Sequence, residues 1–150
     1  MFKKYDLIRR NRLLFAYVSS LVLTDSGLYI IRTGSAMNLT FNPNAAFTAS
    51  QRAGVRARQV AINKMIEFQS TINPQNVKSL SEQRGSLFLS YSEITDIAIG
   101  KNNAFQRANE GNDFPRLTIQ TTNGTYSFTP WERTIREAEQ IVAEIKETMS

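Results

Sequence analysis

The chain has 150 residues, 41% hydrophobic and 21% charged, which is the balance of an ordinary globular protein with length for one domain and a real core. It contains no cysteine, which excludes disulfides and thiolate chemistry, and no histidine, which removes the commonest general base and metal ligand. The net charge of +5 is uneven: residues 1–84 hold 12 Lys/Arg and 4 Asp/Glu, a net of +8, and residues 85–150 hold 6 and 9, a net of −3.

Taken in order, the first twelve residues, MFKKYDLIRRNR, carry Lys3, Lys4, Arg9, Arg10 and Arg12 against the single acid Asp6. Phe2, Tyr5 and Ile8, with Leu7 beside them, can form a short helical apolar edge. Two readings stand for 1–12. One is an interfacial segment that meets anionic lipid headgroups. The other is a basic N-terminal arm in solvent, or a first helix packed on the sheet.

Arg12 to Thr24 reads as a strand, or two joined near Ser19 and Ser20. Asp25-Ser26-Gly27 is a turn, and Leu28 to Arg32 is the return strand. Met37, Leu39 and Phe41 share one face of a further strand over 36–41. Residues 44–85 predict a helical insertion between the third and fourth strands. Val55, Ala61, Met65, Ile66, Phe68 and Ile72 lie on its apolar side, and Arg52 and Arg56 on its polar side. Asn73-Pro74 ends the long helix.

Ser86 to Tyr91 is the next strand, Ser92-Glu93 a turn, and Ile94 to Gly100 another strand. A polar loop follows over 101–114, long for a hairpin connection. Arg116 to Thr122 and Thr125 to Thr129 alternate around Asn123-Gly124, the pair favoured at the centre of a type I′ turn. Thr129-Pro130-Trp131-Glu132 then has the form of a capping box with proline at the first helical position. The helix it starts, 130–149, carries Trp131, Ile135, Ala138, Ile141, Val142, Ile145 and Met149 on one stripe, with Trp131 buried as an anchor against the sheet.

Chemistry-bearing patterns are scarce. No phosphate-binding glycine loop, nucleophile elbow or calcium loop occurs in the sequence. Glu93 and Asp96 read as a turn residue and an exposed strand residue rather than as paired acids. No run is long and apolar enough for a spanning helix. An enzyme is therefore the least favoured class, and neither a cofactor nor a metal is expected.

The order of strands, helical insertion, strands, hairpin and terminal helix resembles the pleckstrin-homology (PH)-like superfold, particularly its bacterial members. Three stretches carry the resemblance: Leu21 to Ile30 (LVLTDSGLYI), Leu89 to Ile97 (LSYSEITDI) and Leu117 to Phe128 (LTIQTTNGTYSF) with the helix after it. They lie within 13–32 and 86–149, about half the chain. The resemblance implies an α+β fold. In it, a bent antiparallel seven-stranded sheet or partial barrel is capped by the C-terminal amphipathic helix, all in one domain over 1–150. It implies a non-catalytic platform that binds membranes, peptides or its own copies. The basic first-hairpin loop of phosphoinositide-binding PH domains is missing, because Thr24-Asp25-Ser26-Gly27 carries an acid.

The expected function is peripheral contact with anionic membrane lipid or an acidic protein partner, in a cytoplasmic setting. Lys3, Lys4, Arg9, Arg10, Arg12, Arg52 and Arg56 are the candidate contacts, since charge beside apolar residues suits such a surface. The alternative is a homo-oligomeric assembly protein that uses the insertion helix or a sheet edge. Nucleic-acid binding through the basic half ranks third, because no nucleic-acid motif supports it.

Overall fold

The computed structural model describes residues 1–10, 16–35, 59–60, 63–101, 115–131 and 134–150. The strand expected over 36–41, the first part of the insertion and the loop over 102–114 lie outside the described residues. So do Arg12, Arg52 and Arg56.

Among the described residues, seven antiparallel strands form one open sheet: β1 (Phe2–Arg10), β2 (Ala16–Thr24), β3 (Gly27–Ser35), β4 (Leu87–Ser90), β5 (Ile94–Lys101), β6 (Pro115–Thr121) and β7 (Gly124–Pro130). Their spatial order is β4-β3-β2-β1-β7-β6-β5. A four-stranded and a three-stranded meander thus join along β1 and β7, where Leu7 faces Pro130 and Ile8 faces Thr129. Three helices accompany them among the described residues: α1 (residues 63–71), α2 (Val77–Ser81) and α3 (Ile135–Met149). The class is α+β, and helical residues fall between β3 and β4 as the sequence predicts.

The first segment departs from expectation. Residues 2–10 are neither a solvated arm nor a helix but a strand that pairs with β2 from Phe2↔Thr24 to Arg10↔Ala16. It lies inside the sheet, with β2 on one edge and β7 on the other. Its two faces are both covered. Leu7, and Tyr5 at the margin, join the main core; Phe2 and Ile8 join patches on the opposite face. Apolar residues on both faces erase the alternation that marks a half-buried strand.

The main core is enclosed by the two meanders and α3. Leu7, Leu21, Leu23, Leu28, Ile30, Leu117, Ile119 and Phe128 are inaccessible or nearly so, and Ile141 and Ile145 of α3 close over them. On the outer face of β2 and β3, Val22, Tyr29 and Ile31 meet Ile72 and Val77 from the insertion. Met65 of α1 packs with Ile8 and Val18. The unbroken apolar runs Leu21 to Leu23 and Leu28 to Ile31 reflect cover on both sides.

The capping box also moves. Thr129 and Pro130 finish β7, and α3 starts later, with Thr134 as its N-cap; the Thr134 hydroxyl accepts from the Glu137 amide at 3.2 Å. Pairing of Thr129 with Ile8 outweighs a local cap at that position. Trp131 is half-buried rather than fully buried; its indole lies against Ile8, Val18 and Met65, and its amide donates to the Asp6 carbonyl at 3.1 Å. The buried stripe of α3 is Ala138, Ile141, Val142 and Ile145, whereas Ile135 and Met149 are exposed. The β6–β7 turn is Thr122-Asn123, one position earlier than expected, and Gly124 opens β7 opposite Thr121.

Candidate contact surface

Lys3 and Lys4 are neighbours in sequence, so a strand sends them to opposite faces. Lys3 turns toward α3, where its Nζ lies 3.4 Å from Glu144 Oε1. Lys4 turns toward the insertion, where its Nζ donates to the carbonyls of Gln69 at 3.1 Å and Ile72 at 3.3 Å. These are carbonyls at the C-terminal end of α1, where a helix leaves its acceptors unpaired and a cation is favoured. The two lysines, both exposed, therefore each tie β1 to a helix.

Arg9 and Arg10 occupy the other end of β1, opposite Tyr17 and Ala16 in register. At a strand's rise per residue, Arg9 stands roughly 20 Å from Lys3. The described part of the basic cluster is thus split: Lys3 and Lys4 at the start of β1, Arg9 and Arg10 at its end.

Acidic and phenolic groups sit around the two lysines. Tyr5 donates its hydroxyl to the Glu144 carboxylate. Burial, with that carboxylate adding to it, pushes the Tyr5 phenol up to about 12. The Tyr5 hydroxyl and Lys3 hold Glu144 below the usual carboxylate range, against its own desolvation. On the opposite face, burial raises the Asp6 carboxyl, while the Ser20 hydroxyl at 3.3 Å and the Lys4 charge oppose that rise.

Two adjoining grooves open at the start of β1. One, of about 490 Å³, is lined by Met1, Phe2, Tyr29, Pro74 and Val77, with Thr24, Asp25 and Ser26 of the β2–β3 turn on its rim. The other, of about 320 Å³, is lined by Met1, Lys3, Asp25, Glu144, Glu147 and Thr148. Met1 and Asp25 belong to both. Sequence reasoning missed this surface, because only the Phe2↔Thr24 register and the seat of the α1–α2 turn bring its parts together.

Glu93 and Asp96 do not form an acid pair. Glu93 accepts from the Ser90 amide at 3.0 Å within the turn between β4 and β5, and Asp96 is exposed on β5. Among the described residues, no group of three or more Asp or Glu could hold a metal ion. No helix among them is long and apolar enough to cross a membrane. In comparisons with known proteins, the chain matches no family model, no curated protein and no solved structure.

Proposed function

We propose that this chain is a non-catalytic binding module of the PH-like type, which meets an anionic lipid surface or an acidic partner through the end of β1 marked by Arg9 and Arg10. One observation carries this reading. The sheet's interior is filled by its own side chains, and Ile141 and Ile145 occupy its open side at zero exposure. That leaves the outer surface as the place for recognition. The order of two meanders joined at β1 and β7, with a terminal helix over the core, supports the PH-like assignment. The surplus of basic residues in 1–84 supports an anionic partner. Lys3 and Lys4 are exposed but already tied to Glu144 and to the end of α1, so we assign the main contact to Arg9 and Arg10, with Lys3, Lys4, Arg12, Arg52 and Arg56 as further contributors.

Co-sedimentation with neutral and anionic vesicles at low and high salt tests the proposal. Binding to anionic vesicles alone, weakened by salt and by Arg9→Glu with Arg10→Glu, is the expected result. Equal binding to both vesicle types, or anionic binding that the two reversals leave intact, would overturn it.

A further inference from the structure

Lys4, Asp6 and Ile8 alternate along β1 and so share its outer face. Helix α1 lies over both ends of this row. Met65 packs with Ile8 and Val18, and the carbonyls of Gln69 and Ile72 accept from the Lys4 ammonium at 3.1 and 3.3 Å. The helix therefore runs antiparallel to β1, and Asp6 falls beneath its middle. Apolar contacts flank that point: Met65 with Ile8 and Val18 on one side, Ile72 with Val22 and Ile31 on the other. Between them runs a polar seam. Ser20, at 1% exposure, donates its hydroxyl to Asp6 at 3.3 Å. The Gln69 side-chain amide donates to the Thr33 hydroxyl at 3.4 Å, and that hydroxyl donates to the Val18 carbonyl at 3.2 Å.

A carboxylate in this seam has given up water for one long hydrogen bond from a neutral hydroxyl, and an ionised group is costly to bury on those terms. Among the described residues, Lys4 of β1 is the charged group that acts on Asp6. β2 presents Ser20 to it, and the Trp131 amide after β7 reaches only its backbone carbonyl. On α1 the face toward the sheet carries Met65 and Gln69, while Lys64 and Glu67 lie off that stripe and are exposed. Burial raises the Asp6 carboxyl in spite of Ser20 and Lys4. Lifting α1 returns the group to water and removes that cost.

We infer that α1 is a latch over the outer face of β1 whose hold depends on the charge of Asp6: it closes when the carboxyl is protonated and loosens when it ionises. Opening releases a proton from Asp6. The opening constant is therefore lowest in acid, rises as pH climbs from the ordinary carboxylate value to the raised one, and levels off above it. A loosened α1 bares Ile8, Val18 and Trp131 on the sheet. The latch does not rest on the lipid contact proposed above, which is assigned mainly to Arg9 and Arg10.

Amide exchange of the full chain from about pH 4 to pH 8, corrected for the intrinsic rate at each pH, tests this. Amides of α1 read the latch, and amides of α3 in the same sample read opening of the whole domain and the integrity of each variant. In the wild type the α1 opening constant should rise with pH, and more steeply than that of α3. Asp6→Asn should abolish the excess rise and hold α1 at its acid protection throughout. Ser20→Ala removes the hydroxyl that lowers the Asp6 pKa, so the rise should persist and reach its plateau at higher pH. The inference is overturned if α1 protection in the wild type is indifferent to pH, or if α1 and α3 share one pH dependence, since the burial of Asp6 would then belong to the sheet alone. An excess rise that survives Asp6→Asn, or a plateau that Ser20→Ala leaves in place, would assign the titration to another group and sink the latch as well.

Discussion

The Lys4 ammonium lies 3.1 Å from the carbonyl oxygen of Gln69, and that hydrogen bond ties the first strand to the end of helix α1. It joins residues 65 positions apart in sequence, and a second bond to Ile72 at 3.3 Å reinforces it. Charge-assisted bonds to otherwise unpaired helix carbonyls stabilise, though exposure limits the gain. Lys4→Met keeps the aliphatic stem and removes the ties. It should lower stability by about 1 kcal/mol in urea unfolding. Amide exchange at the end of α1 should quicken, with vesicle binding little changed. A variant of wild-type stability that loses vesicle binding would instead place Lys4 at the centre of the contact surface.

Asp6 makes a prediction of opposite sign. Burial raises its carboxyl pKa in the folded chain above the unfolded value, despite the Ser20 hydroxyl and Lys4. A raised folded pKa gives a contribution that is present at acid pH and lost as pH rises through the folded value. At neutral pH, then, the charged carboxylate works against folding. Asp6→Asn keeps an acceptor for Ser20 and removes the charge. Its melting temperature should exceed wild type at pH 7, with the gap closing as both are acidified. A lower melting temperature at pH 7 would show that the carboxylate is a net stabiliser.

Much of this architecture is legible in the sequence. Leu117-Thr118-Ile119 and Tyr126-Ser127-Phe128 alternate because one face meets the core and the other does not, so β6 and β7 are read from local pattern. Glycine and asparagine punctuation marks the turns between them. β1 is different. Leu7 and Ile8 are buried, and Phe2 and Tyr5 partly buried, against partners from other strands and helices, none of them local, and no alternation survives. The position of the helix cap has the same origin. Thr129 to Glu132 and Thr134 to Glu137 both fit a Thr-x-x-Glu box, and only the pairing of Thr129 with Ile8 decides between them. The grooves at the start of β1 were hidden for that reason too. The candidate basic cluster was visible as charge, but its division between faces and ends follows from β1 being a strand.

The choice of cap can be measured directly. Thr134→Ala removes the hydroxyl that accepts from the Glu137 amide and should cost about 1 kcal/mol. Amide exchange should then rise in the first turn of α3. Thr129→Ala should leave exchange in that turn unchanged, since Thr129 belongs to β7. Protection lost at the start of α3 in Thr129→Ala would return the cap to the earlier position.

Gly27 tests how β3 and β4 approach each other. A Cβ built at this position would lie 2.5 Å from the Leu89 carbonyl oxygen and 2.7 Å from the Phe88 ring. The Phe88 ring in turn stands 4.6 Å, centroid to centroid, from Tyr29. The backbone oxygen cannot swing away as a flexible side chain would, so Gly27→Ala must part the two strands. The expected cost is about 1–3 kcal/mol, within the range for overpacking, with a change in the near-ultraviolet dichroism of the Tyr29–Phe88 pair. An alanine variant with wild-type stability and dichroism would mean that β4 sits farther from β3.

The Tyr5–Glu144 contact joins β1 to α3 and has an alkaline signature. Burial first, and the Glu144 carboxylate second, lift the Tyr5 phenol from 10.0 to about 12. The folded chain therefore keeps a proton that the unfolded chain releases near pH 10. The stability gained from this group is full below pH 10 and is lost as pH rises toward about 12. Tyr5→Phe should flatten that part of the pH–stability curve, leaving a smaller slope from Tyr91, whose phenol burial also raises. At neutral pH the same variant should cost about 1 kcal/mol for the lost charge-assisted bond. Absorbance titration of the phenols should lose its step near pH 12 in Tyr5→Phe, while the raised Tyr91 phenol remains. If the step near pH 12 persists in the variant, Tyr5 is not the raised phenol and the β1–α3 tie is absent.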